Sequence, residues 1–218
     1  MIGAECMFPD LTRDDVFRLE TARLWLRWPR QSDARAVQDL AAAKEVADMM
    51  TKLPHAYPHE GADGFILSTR HTNMDGSGLT LAIAPKARPT MPIGMIGVFP
   101  SPDETDSELA FWIGRPYWGE GFMTEAVEVM RDAAFRLSAT QTLTARAAMD
   151  NPASRRVLAK CGFQPAPGDG ADRFRMTRPQ WQELTEALRE KPLRASHSLL
   201  RGLTARAGTE NDLPQAAE

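Results

Sequence analysis

Between Phe111 and Ala126 the chain reads Phe-Trp-Ile-Gly-Arg-Pro-Tyr-Trp-Gly-Glu-Gly-Phe-Met-Thr-Glu-Ala. A strand pattern runs into the turn Gly119-Glu120-Gly121, and a helix opens immediately afterwards. The first amides of a helix have no partners within it and carry the positive end of its dipole. Glycines let the backbone approach a ligand with no side chain in the way. This combination suits a phosphate-like anion. It is not a P-loop, because Phe122-Met123 follows the second glycine where Lys-Ser/Thr is needed. Nor is it a dinucleotide fingerprint: Thr124 stands where a third glycine belongs, and the motif lies past the middle of the chain.

A second stretch carries its own polar groups: Asn151-Pro152-Ala153-Ser154-Arg155-Arg156-Val157-Leu158-Ala159-Lys160-Cys161-Gly162-Phe163. Asn is a favoured N-cap and Pro suits the first helical position. Gly162 followed by Phe163 suits a left-handed helix end with a hydrophobic clasp. Capping alone can account for this segment, as a tight turn before a helix can for the first. Only their succession points further.

The elements that must position these residues follow from periodicity. Alternation predicts a strand from Leu19 to Trp28, stopped at Pro29. Ser32 is placed to cap a helix carrying Ala34, Val37 and Leu40. A short helix over 44–50, a proline- and histidine-rich loop over 51–60 and a helix with Ala62, Phe65, Ile66 and Thr69 inward come next. Strands are expected over 79–84, 93–99 and 107–113. The helix after the glycines shows the stripe Phe122, Ala126, Met130, Ala133, Leu137. A strand over 142–149, the short helix after Asn151, a strand over 172–177 and a helix over 178–190 complete the pattern. The order β-α-α-β-β-β-α-β-α-β predicts a mixed α/β domain with a largely antiparallel start.

Composition narrows the class. Of 218 residues, 43% are hydrophobic and 25% charged, which suits one globular domain. Twenty-six basic against 29 acidic residues leave a net charge of −3, without the footprint of a nucleic-acid binder. No apolar run reaches membrane-spanning length, and the N-terminus lacks a basic signal-peptide region. Two cysteines, Cys6 and Cys161, supply neither a disulfide framework nor a metal cluster. A cytoplasmic protein is the expectation.

Taken together, the motifs resemble the GNAT acetyltransferases, and most of all the subgroup that includes the ribosomal-protein N-terminal acetyltransferases. The resemblance rests on Trp118-Gly119-Glu120-Gly121-Phe122-Met123-Thr124-Glu125-Ala126, on the Asn151-x-x-Ser154 helix ending in Lys160-Cys161-Gly162-Phe163, and on Glu20-Thr21-Ala22-Arg23-Leu24-Trp25-Leu26-Arg27, similar to the subgroup's Thr-x-Arg-Leu-x-Leu-Arg first strand. Leu53-Pro54-His55-Ala56-Tyr57-Pro58 also fits. It covers about residues 18 to 185 of the chain.

The resemblance implies a GNAT fold: a mixed, mostly antiparallel sheet of six to seven strands, splayed at the cofactor site, with helices on both faces. The domain is expected over 18–190, after an N-terminal extension (1–17); from Lys191 on, aromatics vanish and Ala, Gly, Arg and Pro accumulate, so a disordered tail is expected over 191–218. The resemblance implies acetyl-CoA as co-substrate. The pantetheine amides would pair with the edge formed by Phe111, Trp112 and Ile113. The diphosphate would take hydrogen bonds from the backbone of Gly119, Glu120, Gly121, Phe122, Met123 and Thr124, with the Glu120 side chain turned to solvent and Met123 turned into the core. Asn151 and Ser154 would face the pantetheine and thioester.

The implied reaction is attack of a neutral primary amine, on a peptide N-terminus or a small molecule, upon the thioester carbonyl. A strand amide would meet the oxyanion. Glu108 is the candidate base, directly or through water, and otherwise an exposed edge carboxylate. Ser154 is the candidate proton donor to the thiolate, and otherwise a first-turn serine. His55 and His59 are lesser candidates for base or acceptor contacts, and nothing suggests a metal. The tyrosine acid that many relatives carry in the Asn–Gly-Phe helix is replaced by Leu158. Another acyl-CoA such as succinyl-CoA, or a CoA-binding module without turnover, are the alternatives. The loop 51–60 and the turns 75–78 and 100–106 are expected to shape the acceptor site, Asp103, Glu104 and Asp106 being candidates to attract a cationic amine. A monomer or homodimer is expected.

Overall fold

The computed structural model describes residues 6–50, 61–101, 106–166 and 172–190. In chain order the elements are β1 (Arg18–Glu20), β2 (Leu24–Arg27), α1 (Ala34–Ala41), α2 (Lys44–Met50), α3 (Gly61–Asp75), β3 (Leu79–Pro85), β4 (Gly94–Pro100), β5 (Asp106–Ile113), α4 (Phe122–Leu137), β6 (Thr142–Arg146), α5 (Pro152–Lys160), β7 (Gln164–Pro165), β8 (Arg173–Thr177) and α6 (Arg178–Glu190). The strands form one sheet of eight, ordered β1-β2-β3-β4-β5-β6-β8-β7. All neighbours are antiparallel except β5 and β6. This is the expected mixed sheet, with two short edge strands, β1 and β7, beyond the six to seven anticipated.

One strand predicted over 19–28 is a hairpin instead. Thr21 closes its turn: its amide donates to the Leu24 carbonyl at 3.0 Å, and its hydroxyl oxygen accepts from the Leu24 amide at 2.8 Å. β1 then pairs back on β2 with Leu19 opposite Leu26. Ser32 does not cap α1 either. A single 3-10 turn, Gln31–Asp33, precedes that helix, and the Asp33 carboxylate takes the Arg30 amide at 2.8 Å.

Helices cover both faces of the sheet. Odd residues of β3 (Leu79, Leu81, Ile83) and even residues of β4 (Ile96, Val98) pack with Met123, Ala126, Val127, Met130 and Ala134 of α4 and Leu158 of α5. On the other face Ala82, Met95 and Trp112 meet α1, α2 and α3 through Val37, Val46, Phe65 and Ile66. Each fully buried aliphatic side chain contributes about 1.5–3 kcal/mol. Phe8 is buried in the first of these clusters, its amide donates to the Gly76 carbonyl at 3.1 Å, and the Trp28 indole donates to the Thr12 carbonyl at 3.1 Å. Packing therefore begins before residue 18. It also covers the turn 75–78, which was expected at the acceptor site.

The feature that creates a site is the parting of β5 and β6. Their pairing runs from Asp106↔Thr142 to Leu109↔Ala145 and stops. On its other side β5 stays paired with β4 as far as Ile113↔Gly94. Residues 110–113 therefore present one free edge.

Candidate functional site

Strand geometry decides which amides that edge offers. The Gly114 amide donates to the Ile93 carbonyl at 2.9 Å and so points toward β4. Successive residues of a strand send their backbone groups to alternate sides. Trp112 thus also turns its backbone toward β4, while Phe111 and Ile113 turn theirs to the open side. This corrects the expectation that three consecutive residues share the edge: Trp112 offers no free amide there. The Trp118 indole donates to the Ile113 carbonyl at 2.8 Å. What remains open at the edge is the N–H of Ile113 and both groups of Phe111.

A cavity of about 690 Å³ opens along this edge. Its wall includes Phe111, Trp112, Ile113, Gly119, Gly121, Met123, Thr124, Asn151 and Ser154, so nine of the predicted site residues stand together. Glu120 and Phe122 are not on the wall. Glu120 is exposed, and Phe122 is half-buried with its ring under the Arg23 guanidinium at 4.5 Å. Met123 is 7% exposed and packs in the main core while touching the cavity, as its bulk requires.

Gly119 and Gly121 lie at φ 80° and 77°, left-handed conformations that strain other residues. Gly121 is the N-cap of α4 and makes no side-chain cap, so the helix's first amides stay free of one. A single 3-10 turn, Arg115–Tyr117, brings the chain from β5 to this point.

Asn151 does cap α5: its Oδ1 accepts from the Ser154 amide at 3.0 Å. Its Nδ2 also donates to Ser154 Oγ at 3.0 Å. The Ser154 hydroxyl is thereby an acceptor from Asn151 and keeps its own proton to donate elsewhere. Capping and site geometry coincide in these two residues.

Glu108 stands two residues back on the face of β5 that carries Ala110, and it is not on the cavity wall. Its Oε1 lies 3.5 Å from Arg146 Nε, and Arg146 is on the wall. Any role for Glu108 at the reacting end runs through Arg146 or solvent. Leu158, where a tyrosine acid was sought, is fully buried. Cys161 is buried as well. Burial, reinforced by Glu128, pushes its thiol up to about 12, which removes it as a nucleophile. His55, His59, Asp103 and Glu104 lie outside the described residues, and Asp106 does not line the cavity.

Sequence reasoning missed Tyr117, Arg146, Arg156 and Lys160 on the wall. Arg156 and Lys160, four apart on α5, share a face and add positive charge to the cavity that the glycine turn lines. That spacing was visible in the sequence. Arg146 was not, because it reaches the wall only once β6 parts from β5. Among the described residues, no group of three His, Cys, Asp or Glu could hold a metal ion, and no helix is long and apolar enough to cross a membrane.

An open strand edge, a glycine turn and a helix start lie along one cavity. A family model for the acetyltransferase (GNAT) domain matches residues 23–164, and the chain belongs to that family of acetyltransferases. No curated protein matches it. Among solved structures, an acetyltransferase of Agrobacterium tumefaciens is 24% identical, with a TM-score of 0.59 over 73% of this chain and 94% of its own. RimJ of Mycobacterium smegmatis, in complex with a CoA disulfide, is 19% identical, with a TM-score of 0.59 over 76% and 90%. The microcin C7 self-immunity acetyltransferase MccE, in complex with acetyl-CoA and AMP, is 16% identical, with a TM-score of 0.56 over 72% and 93%. These likenesses show the shared fold.

Proposed function

We propose that the protein uses acetyl-CoA to acetylate a primary amine by direct attack on the thioester. The observation that carries this reading is the free edge of β5 leading into the glycine turn along one cavity wall. Phe111 and Ile113 present backbone groups to pair with the amides of a pantetheine arm. The turn and the start of α4 present N–H groups to a diphosphate, with Arg156 and Lys160 on the same cavity wall.

The roles of the residues follow from what each can donate. An edge N–H of β5 stabilises the oxyanion that forms as the amine nitrogen bonds to the carbonyl carbon. As the carbon–sulfur bond breaks, Ser154 supplies a proton to the thiolate, the proton that Asn151 leaves free. The amine must be neutral to attack; an α-amine, with an ordinary pKa near about 8, needs little help. The excess proton of the amine passes to solvent or, directly or through water, to Glu108, and a proton from solvent restores the Ser154 hydroxyl. Cys161 is buried and off the cavity wall, so the acyl group passes directly to the amine in this reading.

The test is a screen of peptide N-termini and small amines with acetyl-CoA, read by free-thiol release and product mass. The Glu108→Gln and Ser154→Ala variants then assign the proton transfers. Unchanged rates across pH in Glu108→Gln would remove it as the base.

A further inference from the structure

Arg23 is not on the cavity wall, yet it grips the backbone between the two wall glycines, Gly119 and Gly121. Its Nη1 donates to the Glu120 carbonyl at 3.0 Å, its Nε donates to Glu125 Oε2 at 2.8 Å, and its plane covers the Phe122 ring at 4.5 Å. Glu125 sits in the first turn of α4. It also accepts from the Arg23 amide at 2.8 Å and from the Thr21 hydroxyl. The β1–β2 turn, the glycine turn and the helix start are thus tied together through one guanidinium.

We propose that Arg23 is a positioning residue which, with Thr21 and Glu125, presets the glycine turn for a diphosphate. In a trans peptide unit the C=O and N–H point opposite ways, and among the described residues no peptide bond is cis. With the Glu120 carbonyl turned to Arg23, the Gly121 N–H points away from Arg23, and Gly121 stands on the cavity wall. Glycines reach left-handed conformations without strain, so they leave them as easily, and a turn built on two of them needs an outside hold. A planar fork that meets a carbonyl, a carboxylate and a ring at once supplies it, which an ammonium cannot. A ligand that finds its donors already aimed does not bear the entropy of ordering them. The inference rests on the acyl-CoA reading above.

Calorimetric binding of CoA and of pantetheine, which lacks the diphosphate, tests both and tells them apart. In Arg23→Met the Kd for CoA is expected to rise about tenfold while that for pantetheine stays within about twofold. A merely structural role would weaken both ligands together. Arg23→Lys, which keeps the charge and loses the fork, is expected to behave like Arg23→Met; full recovery of CoA affinity would show that charge alone suffices and overturn the proposal. Should Arg23→Met not fold, Glu125→Gln carries the test with a smaller loss in the same direction, about threefold. An unchanged CoA-to-pantetheine ratio in a folded variant overturns the inference. If the wild-type protein binds CoA no better than pantetheine, the acyl-CoA reading falls, and this inference with it.

Discussion

Arg23 and Arg27 sit four residues apart, one just before β2 and one at its end; the Arg27 fork closes on both oxygens of a carboxylate, and the Arg23 fork is shared between a carboxylate and a carbonyl. Their surroundings differ. Arg27 is closed in, 8% exposed against an Asp33 that is fully buried, with bonds of 2.7 and 2.9 Å and further donations to the Trp28 and Pro89 carbonyls. Arg23 is 47% exposed and its Glu125 18% exposed. The buried fork fixes how β2 meets the chain entering α1. The open fork fixes a turn whose glycines would otherwise be free. One chemical pairing thus serves stability where water is absent and geometry where water is near.

Breaking the buried fork gives the largest expected effect. Asp33→Ala leaves the Arg27 guanidinium uncompensated in the interior and should cost about 3–5 kcal/mol in chemical denaturation, enough to threaten folding. Gly121→Ala comes next: forcing an alanine to hold φ 77° should cost about 1–2 kcal/mol, and CoA affinity should fall with it. Arg23→Met should cost under about 1 kcal/mol of stability while changing CoA affinity as described above. A loss from Arg23→Met comparable to that from Asp33→Ala would erase the distinction between the two forks.

A pH titration gives the smallest effect and sharpens the contrast. Burial raises the Glu125 pKa, but the hydrogen bonds from Thr21 and Arg23 outweigh it, so the carboxyl sits below its ordinary 4.5. A group depressed in the folded state contributes stability above its unfolded pKa and loses it as the pH falls through the folded one. The stability difference between wild type and Glu125→Gln should therefore hold steady from neutral pH down to about 4.5 and fade below it. A difference that fades already near neutrality would mean the carboxylate is not held as described.

Much of this was legible in the sequence, and the gaps have physical causes. The Thr21-x-Arg23-Leu24-x-Leu26-Arg27 motif could be quoted, but not explained. Leu24 and Leu26 follow from alternation and are fully buried. Thr21 and Arg23 find Glu125 about a hundred positions away, a pairing no local pattern carries. The hairpin was missed because alternation reads the same through a turn closed by a threonine hydroxyl. Phe111 and Ile113 could have been separated from Trp112 by strand alternation alone. Arg146 could not, because its place depends on where two parallel strands part. The glycine turn, the Asn151 cap and the burial of Met123 are local, and those expectations match the geometry.

The proposed transfer of an acetyl group from CoA to an amine in this cavity is open to direct measurement. Mixing the protein with acetyl-CoA and following free thiol, with and without a panel of amines, addresses it directly. Thiol release is expected to depend on the amine, to be matched mole for mole by acetylated product, and to be suppressed by excess CoA. Tight CoA binding with no amine-dependent thiol release from any panel member would contradict the proposed transfer.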